Sequence, residues 1–185
     1  MVEFTYQMVL STIQTASLVV GIIYYLTIMR NQQKSQQIQM LQRLHDTKYD
    51  VEGLQHYYES MTLKWDTFNE YVQKYGYQND PQVASIIESQ TSYFEGLGML
   101  VKNNAVDLNT LYEIMGNRII GFWFKFETVI KEYRQVIVFS PGSEYSLNFE
   151  YLANEMINIR KQKGSTFPVH RLHPTSTLLK DFNPT

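Results

Sequence analysis

No charged residue occurs between Glu3 and Arg30, and within that interval Met8 to Met29 reads MVLSTIQTASLVVGIIYYLTIM. As a helix this 22-residue run extends about 33 Å, enough to cross a hydrocarbon layer of about 30 Å. A buried helix of a soluble protein is the competing reading, because Ser11, Thr12, Gln14, Thr15 and Ser17 make the first half polar. Such a helix seldom needs so long an uncharged stretch. A cleaved signal peptide would carry a basic region before the apolar one and a small-x-small site after it, and neither is present. The segment is therefore expected to anchor the chain as a single-pass membrane protein.

Flanking basic residues set the expected orientation. Only Glu3 precedes the span, whereas Arg30, Lys34, Arg43 and Lys48 follow it. Lys and Arg are retained on the cytoplasmic side, so the N-terminus is expected outside and everything after Arg30 in the cytoplasm of a cell-membrane protein. Ser11, Gln14, Ser17 and Gly21 fall near one stripe of the span at helical spacing, and Ser17-x-x-x-Gly21 is a small-xxx-small pair. Small residues let helix backbones approach and a Gln in lipid needs a hydrogen-bonding partner. The stripe is thus a candidate contact with another transmembrane helix or a second copy. Alternatively, Ser and Thr bond back to their own helix carbonyls and Gln14 lies near the interface.

Beyond the span, charge divides the chain. Residues 30–45 carry +3, residues 46–159 carry −8 and residues 160–185 carry +4, so the overall −2 is a cancellation. The expected organisation is an anchor (1–29), a basic Gln-rich juxtamembrane helix (30–48), a helical domain (49–161) and a flexible basic tail (162–185). A basic collar and tail beside a bilayer favour contact with anionic lipid, at about 1 kcal/mol per cation. An acidic body repels phosphate, so no nucleic acid is expected as a partner.

The body reads as all-α. Met40, Leu44, Val51, Leu54, Tyr58, Met61, Trp65, Phe68, Val72 and Tyr75 follow steps of three and four, with Thr47 in one place. This is the period of one long helix, whose face is either a coiled-coil seam or a bundle core. Its bulky aromatics favour the bundle. Gly76 and Asn79-Asp80-Pro81 end it and open another helix, with Asp80 as N-cap and Pro81 in the first turn. Asn103-Asn104 makes the next turn, and Asp107 caps a helix with apolar residues from Leu108 to Ile137. Phe122, Trp123, Phe124 and Phe126 point several ways around it, which predicts a central position. Ser140 to Ser143 break the chain, and Tyr145, Phe149, Leu152, Met156 and Ile159 mark a last amphipathic helix. The fold class expected is one transmembrane helix followed by an antiparallel cytoplasmic bundle of about four helices.

Residues 92–134, SYFEGLGMLVKNNAVDLNTLYEIMGNRIIGFWFKFETVIKEYR, resemble the core of an uncharacterised family of prokaryotic proteins with an N-terminal transmembrane helix and a cytoplasmic helical domain. The resemblance rests on Tyr93-Phe94-Glu95, the turn from Asn103 to Asp107, Trp123 and Arg134. It implies an anchored helical architecture and no catalytic residue.

Chemistry-bearing residues are few. Cysteine is absent, which excludes disulfide scaffolds, Cys-ligated zinc and thiol nucleophiles. His45, Glu52, His56 and Glu59 share one strip of the expected long helix, yet outside its apolar face, where a solvated surface is the simpler reading. His170 and His173 lie in the tail. Glu95 and Arg118 border apolar faces, where a charge is costly unless paired. They are expected to pair with each other, or with Glu127 and Arg134. No phosphate loop, nucleophile elbow or Ser/His/Asp arrangement is present, so neither enzymatic activity nor a cofactor is expected. The leading expectation is an interaction or accessory module of a membrane complex. The alternative is a membrane-tethered sensor holding a small ligand or metal between its helices, near Glu95 and Arg118.

Overall fold

The computed structural model describes residues 6–136 and 144–164. Among these residues the chain is all-α, with six helices: α1 (Tyr6–Lys48), α2 (Val51–Thr62), α3 (Phe68–Tyr75), α4 (Pro81–Lys102), α5 (Leu108–Val136) and α6 (Leu147–Gln162). The expected turn at 140–143 and the tail from residue 165, with His170 and His173, lie outside the described residues. The chain divides into two compact units, Met1–Arg43 and Leu44–Thr185.

In the first unit every side chain from Tyr6 to Thr27 is exposed. The helix is long and apolar enough to cross a membrane. Its hydroxyls bond to its own backbone: Thr12 donates to Met8 O (2.7 Å), Thr15 to Ser11 O (2.9 Å), Ser17 to Ile13 O (2.8 Å) and Thr27 to Ile23 O (2.8 Å). Ser11 likewise donates to Met8 O at 3.1 Å. Such back-bonding removes the polarity of a hydroxyl from the helix surface.

The second unit is organised by α5. Leu111, Met115, Ile119, Phe122, Phe126 and Ile130 are all buried, as the apolar periodicity predicts. Phe122, Trp123, Phe124 and Phe126 are buried as well, so α5 has neighbours on several sides and is central. Phe122 packs against Phe94 of α4 (5.4 Å between ring centroids), Trp123 against Phe149 of α6 (5.1 Å), and Phe126 stacks on Trp65 ahead of α3 (5.4 Å). Asp80 accepts from Val83 N and Asp107 from Thr110 N, so both expected N-caps are in place.

The expected long helix from Met40 to Tyr75 is instead three segments, and five helices rather than about four follow the anchor segment. Two local caps explain the breaks. Asp50 accepts from Gly53 N (2.8 Å) and starts α2. A Cβ on Gly53 would lie 1.8 Å from the Lys48 carbonyl oxygen, so this tight entry requires glycine. Thr67 accepts from Glu70 N (3.2 Å) and starts α3, while Glu70 reaches back to Asp66 N (2.7 Å). Each break resets the helical phase. Val51 and Tyr58 of the expected face are exposed, and Tyr57, Ser60 and Tyr71 are buried in their place.

Candidate functional site

Tyr71 and Tyr75 lie one turn apart on α3 and so share a face. Together with Tyr77, Glu88 of α4, Tyr133 of α5 and Tyr145 just before α6, they ring a cavity of about 520 Å³. Ile87, Phe126, Val129 and Ile130 contribute apolar wall. A volume of about 300 to 1,000 Å³ with mostly apolar walls and a few placed polar groups is the usual form of a small-molecule site. The rings brace one another at their edges: Tyr71 meets Tyr133 at 6.2 Å and Phe126 at 6.4 Å, with interplanar angles of 81° and 76°.

Two hydroxyls of the cavity wall meet on one carboxylate. Tyr145 Oη donates to Glu88 at 2.8 Å, and Ser92 Oγ donates to its other oxygen at 3.2 Å. Among the described lining residues Glu88 is the one charged side chain. Burial pushes the Tyr71, Tyr133 and Tyr145 hydroxyls above their ordinary range, and the negative Glu88 pushes the same way. All three phenols are therefore neutral at physiological pH.

Arg134 and Glu95 determine where Tyr145 stands. The Arg134 guanidinium donates through Nε to Tyr145 O (2.6 Å) and through Nη2 to Ser146 O (2.8 Å), while Nη1 pairs with the Glu150 carboxylate. Glu95 of α4 accepts from Phe149 N (2.7 Å), Asn148 N (3.3 Å) and Asn148 Nδ2 (2.7 Å). Ser146 makes no side-chain cap of its own, so Glu95 supplies the N-terminal acceptor of α6 from a neighbouring helix, where negative charge is also favoured by the helix dipole. Close packing supports this arrangement, since a Cβ on Gly98 would lie 2.0 Å from Asn148 O. Carbonyls are held on one side of Ser146 and amides on the other, and the segment from Tyr145 to Phe149 is fixed between α4 and α5.

This corrects the expected Glu95–Arg118 pair. Arg118 instead donates to His45 Nε2 (3.2 Å) and stacks over the Tyr49 ring (4.6 Å), a cation–π arrangement. Glu95 is engaged by the backbone of α6, and Glu127 pairs with Lys131 at 2.7 Å. The His45, Glu52, His56 and Glu59 strip is likewise divided, because the break at Asp50 separates His45 from the other three. Among the described residues no group of three or more His, Asp or Glu side chains is placed to hold a metal ion. Trp123, quoted for the family resemblance, is a buried core residue against Phe149, and Arg134 is the α6 clamp. Ser11, Gln14, Ser17 and Gly21 all lie exposed on α1, and a Cβ on Gly21 would meet nothing within 4 Å.

Sequence reasoning placed Tyr75, Tyr133 and Tyr145 among apolar core positions and passed over Glu88. The signal available was their chemistry: phenols where a core would take Leu or Ile, on three different helical segments. One further group was missed. Lys125 of α5 donates to the carbonyl of Leu63, the residue that ends α2, and its Nζ lies 4.5 Å from the Trp65 ring centroid. Burial lowers its pKa from 10.5 to about 8, with Lys64 adding in the same direction.

No curated protein and no solved structure matches the chain. Residues 11–156, from within α1 into α6, match a family described as a domain of unknown function, DUF4760. That match spans more than half of the 185 residues and takes in the cavity, the Arg134 clamp and the Glu95 cap. The chain belongs to the DUF4760 family.

Proposed function

We propose that the protein is a membrane-anchored, non-catalytic helical module whose second unit binds a small organic molecule in the tyrosine-ringed cavity. The observation that carries this reading is the cavity itself, about 520 Å³ between α3, α4 and α5, with apolar walls and the Tyr145 and Ser92 hydroxyls donating to Glu88. The space opens to solvent beside the exposed Tyr77, Ser85, Glu88 and Ser89, so a small molecule can reach it. The uncharged span from Met8 to Met29 supports the anchor, and the basic residues after it support a cytoplasmic second unit with the N-terminus outside.

The test is a thermal-shift screen of the detergent-solubilised chain against small aromatic compounds of each charge type. A binding compound raises the melting temperature by mass action. The same compound is expected to leave Ala84→Trp unshifted, because Ala84 lines the cavity and a Trp there occupies it. A screen in which no compound shifts the wild type, or in which Ala84→Trp responds equally, rejects the reading.

A second reading, an accessory module of a membrane complex, is favoured by the complete exposure of α1 from Tyr6 to Thr27. Lipid, a second copy or a partner helix would cover that surface. A photo-crosslinker at Gly21 that captures a protein helix in native membranes supports the accessory role, and capture of lipid alone rejects it. Anionic lipid beside Arg30, Lys34 and Arg43 belongs to the same reading.

A further inference from the structure

We infer that the cavity selects an organic cation, an ammonium group carried on an apolar body. The inference rests on the cavity being a binding site, and it adds the charge and chemistry of the occupant. Five tyrosines and one carboxylate surround the space, and no Arg, Lys or His is among the described lining residues. A cation over a tyrosine face is attracted by the ring quadrupole, and several faces around one ammonium form the aromatic cage that recognises quaternary amines.

The ionisation states support one sign of charge. The Tyr71, Tyr133 and Tyr145 hydroxyls are held neutral, so they offer ring faces and dipoles rather than phenolates. Glu88 remains the fixed charge, oriented by Tyr145 and Ser92. An anion would meet the Glu88 carboxylate and no Arg, Lys or His among the described lining residues. Tyr145 and Ser92 already donate to Glu88, Ser85 donates to Pro81 O (2.7 Å) and Thr91 to Ile87 O (2.8 Å). The Lys48 ammonium reaches Ser89 Oγ at the cavity (2.7 Å) but lies over the Tyr93 ring. The apolar wall of Ile87, Phe126, Val129 and Ile130 fits the hydrocarbon part of the ligand, and the volume exceeds what a bare ammonium needs.

The experiment is calorimetric titration of the detergent-solubilised full chain with benzyltrimethylammonium, benzyl alcohol and benzoate. The ammonium is expected to bind saturably and about tenfold or more tighter than either other probe. Glu88→Gln, which keeps an acceptor for Tyr145, is expected to weaken the ammonium by about two- to fivefold and leave benzyl alcohol unchanged. Raising salt from about 50 mM to about 500 mM should weaken the ammonium alone, a readout that needs no variant. Circular dichroism establishes that the variant is folded. Equal or tighter binding of benzyl alcohol or benzoate, or an ammonium affinity indifferent to both Glu88→Gln and salt, overturns the cation assignment while leaving a ligand cavity. Saturable binding by none of the three overturns the assignment and the cavity reading together.

Discussion

Leu18 of α1 is 65 % exposed and Ile119 of α5 is 0 % exposed, although the two side chains are nearly equal in apolar surface. In the second unit, burial of such a side chain within the protein stabilises the fold by roughly 1.5 to 3 kcal/mol. In α1 the same kind of side chain has no other described part of the chain around it, and a hydrocarbon layer or another helix is what would make its exposure favourable. Polar groups differ in parallel. The hydroxyls of α1 turn back to carbonyls three or four residues away, as Ser17 does to Ile13. In the second unit, tyrosine hydroxyls reach across the sequence: Tyr93 to Leu44 O (3.2 Å) and Tyr145 to Glu88 (2.8 Å). Serines and threonines bond locally in both units, as Thr91 does to Ile87 O, and it is the tyrosines of the second unit that join distant segments.

The sharpest test of this contrast is truncation in each unit. Phe122→Ala, at a fully buried site, should destabilise the second unit by about 3 to 5 kcal/mol in chemical denaturation. Leu18→Ala should leave that transition unmoved. Charge reverses the sensitivity. Val20→Arg, near the middle of the apolar run and 66 % exposed, should oppose membrane insertion by roughly 2.5 to 3.5 kcal/mol. Membrane fractionation reads this as a shift toward the soluble or degraded pool, whereas Gln55→Arg, on an exposed site of α2, should fractionate as wild type.

A smaller effect is expected from Arg134→Met, which leaves the Tyr145 and Ser146 carbonyls without their donor and Glu150 without its guanidinium. The cost should be about 1.5 to 3 kcal/mol, with faster hydrogen exchange at the start of α6. A further effect depends on pH. Lys125 has a folded pKa of about 8 against 10.5 in the unfolded chain, so between these values the unfolded state binds more protons. Its contribution to stability therefore rises with pH from about 8 to about 10.5 and is lost as pH falls through that window. Lys48, also lowered by burial, acts in the same direction. The buried tyrosines act oppositely above about pH 10, where their unfolded forms ionise first. Denaturation midpoints for Lys125→Met should show a shallower rise from pH 8 than the wild type.

Helix ends marked by local chemistry were legible in the sequence. Asp80-Pro81 and Asp107 cap as expected, and the periodicity from Leu111 to Ile130 gives the buried face of α5. The divisions at Asp50 and Thr67 were not, because both breaks are short and the three-and-four spacing of apolar residues carries across them. Only the mismatch of Val51 and Tyr58 with their true exposure reveals the reset phase. Glu95, Arg118 and Arg134 could be recognised as charges in need of partners. Their partners could not, because Glu95 and Arg134 meet main-chain atoms and main-chain atoms leave no trace in side-chain pattern. The cavity escaped for a related reason: periodicity treats tyrosine and leucine alike, and the space between α3, α4 and α5 exists only once the three are packed.

Ser146 has φ 57° and ψ 30°, a left-handed conformation. For a residue other than glycine it costs roughly 1 to 2 kcal/mol. Its neighbours have separate destinations, Tyr145 at the cavity and Phe149 stacked on Phe94 in the aromatic core. The left-handed residue thus stands between a ring that lines the cavity and a ring that packs in the core. An occupant that shifts Tyr145 works against Arg134, Glu95 and the seating of α6. If the proposed ligand fills the cavity, α6 is the place where the rest of the unit would feel it.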